Sequence, residues 1–213
     1  MNPSIQAEAG LEGLRASTPE ALPFAPELDV RAFLLERPQG NVLIYSVSSL
    51  ETDAEAIEAL GGISRQYLNH GHEAMFASDW YRGPVFVHEA DRHYVEQRIH
   101  VRGSFSKRHL LDDDLEVIPT PGHTPGATAY LWNNGRRRFL FTGDTIYLRD
   151  GEWVDGLLDS SDRDAYVESL ALIRGLAFDV LVPWVATGGG PWYSETSPNE
   201  TRERVDAILE HIR

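Results

Sequence analysis

His70 and His72 stand one residue apart in Leu68-Asn69-His70-Gly71-His72-Glu73-Ala74-Met75, at the end of a strand-like run. Side chains of a strand alternate between faces. The spacing therefore predicts both imidazoles on one side, with Gly71 giving the backbone room to turn. Two imidazoles that close together are half of a transition-metal site. Two later stretches carry groups that could complete it. One is Thr120-Pro121-Gly122-His123-Thr124-Pro125-Gly126, a histidine bracketed by two Pro-Gly turns; the other is Phe141-Thr142-Gly143-Asp144-Thr145, an apolar run ending in Gly-Asp. Taken singly, each has a plain structural reading: a loop with an incidental histidine, and a carboxylate capping the turn after a strand. The chain has no cysteine. Disulfides and thiolate catalysis are excluded, and any metal must be held by His, Asp or Glu.

These residues need elements to carry them. Residues 1–25 read as a loosely ordered arm, with a short helix over Glu8–Arg15 weakened by Gly10 and Gly13. Apolar runs at 30–35 and 41–47, parted by Arg37-Pro38-Gln39-Gly40, predict a β-hairpin. Thr52-Asp53-Ala54-Glu55 has the form of a capping box. The helix it starts ends at Gly61-Gly62, and a strand over 63–69 then delivers His70. Further strands are expected at 84–88, 115–118, 127–132, 138–141 and 179–183, with the Asn134-Gly135 turn joining the third and fourth. Helices are expected at 91–98, from Ser161 or Asp162 to Leu176, and after Ser197-Pro198-Asn199-Glu200. Strands and helices interleave throughout, which is the pattern of an α/β layered domain. The division expected is the arm over 1–25 and a single domain over 26–213.

A chain of 213 residues with 42% hydrophobic and 24% charged residues suits one such domain. The net charge of −14 repels phosphate backbones and anionic membranes, so neither nucleic acid nor a membrane is an expected partner. No basic segment followed by an apolar core opens the sequence, so no signal peptide is expected and the cytoplasm is the default location. The expected partner is a small-molecule substrate, and a homo-oligomer is compatible with these features.

In chain order, His-x-His, Pro-Gly-His-Thr-Pro-Gly and Thr-Gly-Asp-Thr resemble the metallo-β-lactamase superfamily, most closely its glyoxalase II (hydroxyacylglutathione hydrolase) branch. The resemblance covers roughly Val30 to Gly190. It implies a four-layer αββα sandwich with two mixed sheets face to face and a metal site at one edge. It also implies that His70, His72, His123 and Asp144 are ligands of one ion. The family's first motif continues with an Asp and a further His; here Ala74 and Met75 hold those positions. A last family histidine follows the strand near Pro183, where this chain has Trp184-Val185-Ala186. The private ligands of a second ion are thus absent, which predicts a mononuclear site.

Three imidazoles and one carboxylate suit Zn²⁺, and also Fe²⁺ or Mn²⁺. The activity implied is metal-dependent hydrolysis of a small ester or thioester, with Asp144 as the candidate catalytic carboxylate. Glu73, Asp79 and Glu195 are the other candidate carboxylates for that role. Two alternatives remain: an Fe(II) dioxygenase like the persulfide dioxygenases, using His70, His123 and Asp144, or a catalytically inactive relative. Trp184, Trp192 and Tyr193 are candidates for a substrate wall, against the plainer reading that they fill the space of the second ion.

Overall fold

The computed structural model describes residues 5–81 and 83–212. Strands β1 (Gln6–Ala7), β2 (Leu14–Ala16), β3 (Glu20–Leu22) and β4 (Ala25–Val30) open the chain. The loosely ordered arm and its short helix are corrected here for residues 5–25. Ile5, Leu11, Leu14, Ala16 and Leu22 bury their side chains in the main core, and that burial outweighs the weak local propensities. Residues 1–4 lie outside the described residues.

The expected hairpin is present as β5 (Phe33–Leu35) and β6 (Val42–Ile44), antiparallel with Phe33 opposite Ile44. Helix α1 (Ala54–Ala59) follows a 3₁₀ turn, but the capping box does not form. Asp53 instead accepts from the Thr18 N–H and hydroxyl, each at 2.8 Å, and so ties the N-terminal strands to this helix. Next come β7 (Arg65–Tyr67), β8 (Val85–His88), α2 (Glu89–Val95), β9 (Val101–Phe105), β10 (His109–Leu111) and β11 (Leu115–Pro119). The second half holds β12 (Thr128–Asn133), β13 (Arg138–Gly143), β14 (Ile146–Arg149), β15 (Glu152–Asp155), α3 (Arg163–Arg174), β16 (Val180–Pro183), β17 (Val185–Thr187), β18 (Ser194–Glu195) and α4 (Pro198–Ile212). Asp162 caps α3 by accepting from Ala165 N, and Ser197 and Glu200 make the expected reciprocal cap of α4.

Hydrogen bonding divides the strands into sheets ordered β1-β2-β5-β6-β7-β8-β9, β10-β11-β12-β13-β16-β18 and β15-β14-β17-β4-β3. All three mix parallel and antiparallel pairs or join through both kinds of connection, as an αββα sandwich requires. The second and third are one surface interrupted. The parallel pair β13–β16 breaks after Gly143 and Pro183 and resumes as the parallel pair β14–β17. Asp144 and Trp184 occupy the two breaks.

Alternation along the middle strands decides which core each residue joins. Phe139, Phe141, Val180 and Val182 face the inter-sheet core, while Leu140 and Leu181 face α3 and α4. A smaller apolar cluster of Leu68, Ala74, Val85, Val87, Val95 and Val101 lies under α2. Leu181 has no exposed surface. Leu181→Ala is expected to lower unfolding stability by about 2–5 kcal/mol, read as a fall in the urea midpoint at unchanged m-value.

Candidate metal centre

His70 is extended, with φ −153° and ψ 167°, and His72 lies in the 3₁₀ helix Gly71–Phe76. The two rings therefore do not share a face by strand alternation, as the spacing predicts. They converge because the chain turns from strand into helix between them, leaving ring centroids 5.2 Å apart and nearly perpendicular. Glu73 makes this turn. Its Oε1 accepts from the backbone N–H of Asn69 (2.7 Å) and His70 (3.2 Å), and its Oε2 from Ser46 N–H (2.9 Å). Burial pushes its carboxyl up, against His70 and these N–H groups.

Hydrogen bonds orient the rings of His70 and His123. His123 Nδ1 lies 2.6 Å from the carbonyl of Gly156. A carbonyl only accepts, so Nδ1 carries the proton and Nε2 the lone pair. His70 Nδ1 faces two acceptors, Asn69 Oδ1 at 3.0 Å and Glu73 Oε1 at 3.3 Å. The Asn69 amide is oriented by donating its N–H to Thr128 O. His70 Nε2 is thereby left to face the cluster, and it is buried with no hydrogen-bond partner. His72 Nδ1 sits 3.2 Å from His123 Nε2. One ligand atom from each of the three rings falls within 4.8 Å of the others. Asp144 Oδ2 lies 3.4 Å from His70 Nε2 and 3.6 Å from His123 Nε2, and Asp144 Oδ1 is buried and unpartnered. Buried polar atoms without partners cost roughly 1–3 kcal/mol each; a cation bound among them would offset that.

The electrostatics favour a single positive charge at this point. Burial opposes charge on His70, but Asp144 and then Glu73 outweigh it and raise its pKa to about 10. Burial, with His70 beside it, lowers His123 to about 4, and the same causes lower His72. Burial pushes the Asp144 carboxyl up, yet His70, His123 and His72 together hold it below the usual carboxylate range.

Asp91 is the positioning group that the sequence gives no reason to choose, since it reads there only as an acid in the first turn of a helix. Asp91 is buried. Its Oδ2 accepts from Gly71 N–H (2.8 Å) and the Thr124 hydroxyl (2.6 Å), and its Oδ1 from Gly126 N–H (2.9 Å). One carboxylate thus fastens the His-Gly-His turn to the Pro-Gly-His-Thr-Pro-Gly loop. Two glycines allow equally close approaches. Gly143 has φ 56°, and a Cβ there would lie 1.9 Å from Asn69 Oδ1. Gly122 has φ 136°, and its Cβ would meet the Tyr166 backbone at 2.4 Å. Tyr45, a non-glycine at φ 71°, donates its hydroxyl to Val182 O and accepts from Gly143 N–H, each at 2.8 Å. It bridges the two strand ends that precede Trp184 and Asp144. A non-glycine held in the left-handed region marks a strained position.

The remaining candidates are distributed as follows. Trp184 is 3% exposed. Its ring packs edge-on against His70 at 5.4 Å, and its indole N–H donates to Ser46 O. Trp184 is thus a wall behind a ligand. Trp192 packs on Phe33 and Tyr193, and among the described residues neither it nor Tyr193 has a ring contact with the histidines. Glu195 pairs with Arg137 on β18, and Asp79 is exposed. Ala74 is buried in the apolar cluster under α2, Met75 is exposed, and Val185 pairs with Val30. His88 caps α2 by accepting from Ala90 N–H.

Two outcomes follow from this geometry. Asp91→Asn turns one acceptor into an NH₂ group facing N–H or O–H donors. Zinc affinity, measured by chelator competition, is expected to weaken about 10–100-fold. Because a metal must displace the proton held on His70, wild-type affinity is expected to tighten about tenfold for each pH unit from about pH 7 to 9. It falls as pH falls, which the same competition assay reads.

The profile of the metallo-β-lactamase superfamily matches residues 65–183, more than half of the chain. Among solved structures, the chain is similar to VMB-1, with a TM-score of 0.72, 12% identity and full coverage of both chains. It is also similar to BJP-1, a subclass B3 metallo-β-lactamase of Bradyrhizobium japonicum, with a TM-score of 0.63 and 17% identity over 93% of this chain and 89% of that one. For AidC, a dizinc quorum-quenching lactonase, the TM-score is 0.55 and the identity 12%, over 80% and 79%. At such identities the likeness is one of fold. No curated protein matches by sequence. Profile, fold and histidine cluster agree, and this chain belongs to the metallo-β-lactamase superfamily.

Proposed function

We propose that the protein is a mononuclear metal-dependent hydrolase of the glyoxalase II-like kind, acting on a small ester, thioester or related acyl substrate. One observation carries the reading. The donor atoms of His70, His72 and His123 converge within 4.8 Å, with Asp144 beside two of them, while Ala74, Met75 and Val185 offer no hard donor for a second ion. The residues fit a divalent cation, because two of the buried atoms without partners, Nε2 of His70 and Oδ1 of Asp144, belong to this cluster. Zinc is the best match to three imidazoles and a carboxylate, with iron or manganese as substitutes.

An ion held there supplies Lewis acidity and brings the ionisation of water down to about pH 7. The chain's own groups do the rest. Asn69 and Glu73 fix the His70 ring, and Gly156 fixes that of His123. Such outer partners set tautomer and direction, and with them ligand strength. Of the three acids at the site, Glu73 and Asp91 are occupied by backbone N–H groups. Asp144 is the one left to bind an ion or exchange a proton. Its depressed pKa makes it a ligand first and a base second. Trp184 closes the space behind His70 and keeps water from that side.

Metal analysis and turnover test this reading. One zinc ion per chain is expected, lost in His123→Ala. The same variant is expected to lose kcat/KM on p-nitrophenyl acetate and on simple acyl thioesters by about a thousandfold or more, the several kcal/mol a Lewis acid is worth. Two metal ions per chain would refute the mononuclear site. Iron with substrate-dependent oxygen uptake would transfer His70, His123 and Asp144 to a dioxygenase. A chain that takes up no divalent metal would be a catalytically inactive member of the fold.

A further inference from the structure

We propose that Met75, Tyr94 and Leu158 form an apolar rim at the mouth of the histidine cluster, and that this rim selects uncharged substrates with an alkyl or acyl arm over anionic ones. The inference rests on reading that cluster as the reaction centre. Among the described residues the large apolar side chains that stand well exposed are Phe24, Met75, Tyr94, Leu110 and Leu158. Three of these five are attached to the segments that carry His72 and His123, and they come from three different parts of the sequence.

Met75 follows His72 by three residues within the 3₁₀ helix Gly71–Phe76. Residues i and i+3 of a 3₁₀ helix eclipse each other, so the thioether, 48% exposed, shares the face of the imidazole. Tyr94 of α2 presents its ring edge-on to that of His72, at 6.1 Å between centroids. It also covers Gly71, where a Cβ would come within 3.1 Å of the ring. Leu158 is fastened to His123 twice. Its N–H donates to the Ser161 hydroxyl at 2.9 Å, and that hydroxyl donates to His123 O at 3.2 Å. Two residues earlier, Gly156 O accepts from His123 Nδ1. Phe24 and Leu110 have no such ties. Phe24 lies in the β3–β4 turn, at the end of β4 remote from the Val30–Val185 pair, and Leu110 lies on β10.

Exposed apolar groups tied to an otherwise polar site mark a contact for something apolar. Met75 adds the adaptability of an unbranched thioether. The charge around the rim points the same way. Glu73, Asp91 and Asp144 lie at the site, and among the described residues no arginine or lysine makes a hydrogen bond or ion pair with any of them. Lys107 is the single lysine of the chain. A carboxylate on the substrate arm would meet like charge from these three groups, while Arg163, which lines a cavity together with Leu158, donates its guanidinium N–H to Ile212 O.

Calorimetric titration of the zinc-loaded protein with straight-chain alkyl hydroxamates from C2 to C8 tests the rim without turnover, since the chelating head is constant and only the arm grows. Affinity is expected to rise with length by up to about fourfold per buried methylene. A methyl-ended arm should bind at least about tenfold tighter than an arm of equal length ending in a carboxylate, the effect of about 1.4 kcal/mol. The length dependence should fall by half or more in the Met75→Ser, Leu158→Ser double variant and stay as it is in Phe24→Ser. Both truncated side chains are exposed, so the fold is expected to tolerate their loss. A flat series, an unchanged slope in the double variant, or equal binding of the carboxylate-ended arm would overturn the inference. A length-dependent series on a protein that hydrolyses no ester or thioester leaves the rim standing and removes the hydrolase reading. Hydrolysis with a flat series does the reverse.

Discussion

Buried carboxylates gripping backbone N–H groups are the constraint on which this site depends. Three imidazoles from two distant loops must be brought together with their ligand atoms within 4.8 Å of one another, and at their centre only Asp144 offers an opposing charge. Glu73 and Asp91 do the holding. One pins the turn from β7 into the 3₁₀ helix, and the other ties that turn to the loop of His123. Charge-assisted hydrogen bonds of this kind are roughly twice as strong as neutral ones. The site is consequently preorganised by the protein, and a bound ion would find its donors already placed.

The interrupted sheet supplies the remaining part. A carboxylate inside a continuous strand would point either into an apolar core or away from the histidines. The break after Gly143 lets Asp144 leave the strand direction and approach His70 and His123. The matching break after Pro183 lets Trp184 pack against His70 from the other side. Tyr45 joins both breaks through its hydroxyl, and it is held at a strained backbone angle to do so. Local strain of this sort persists only where the surroundings over-determine it. Here they do, because Tyr45 is buried against Phe33 and Phe141.

Two acids held by N–H groups and a third that faces only the histidines divide the work between architecture and chemistry. Glu73 and Asp91 spend their acceptor capacity on the fold, and Asp144 retains its own. The residues around Ala74 and Met75 continue the same economy of charge. Ala74 joins the apolar cluster under α2 and Met75 faces outward, so a segment that could have carried further donors serves packing on one side and an apolar surface on the other.

Much of this was legible in the sequence, and the reasons are local. The β5–β6 hairpin, the caps of α3 and α4 and the Asn-Gly turn rest on residue types at short spacings, whereas the grouping of His70, His72, His123 and Asp144 came from the order of three motifs along the chain and the family they resemble. The N-terminal strands were not legible, because short polar segments become strands only when Leu11, Leu14 and Leu22 find a core to enter. Nor was the route by which His70 and His72 converge, since period-two spacing suggests a strand where Glu73 builds a helix. Asp91 and Tyr45 carry no motif, and their roles arise from contacts with groups 20 to 137 positions away. The sequence by itself determined which donors exist and which are missing. Only the tertiary structure decided how they are held, because the direction of a ligand is set by hydrogen bonds from residues that are neighbours in space and not along the chain.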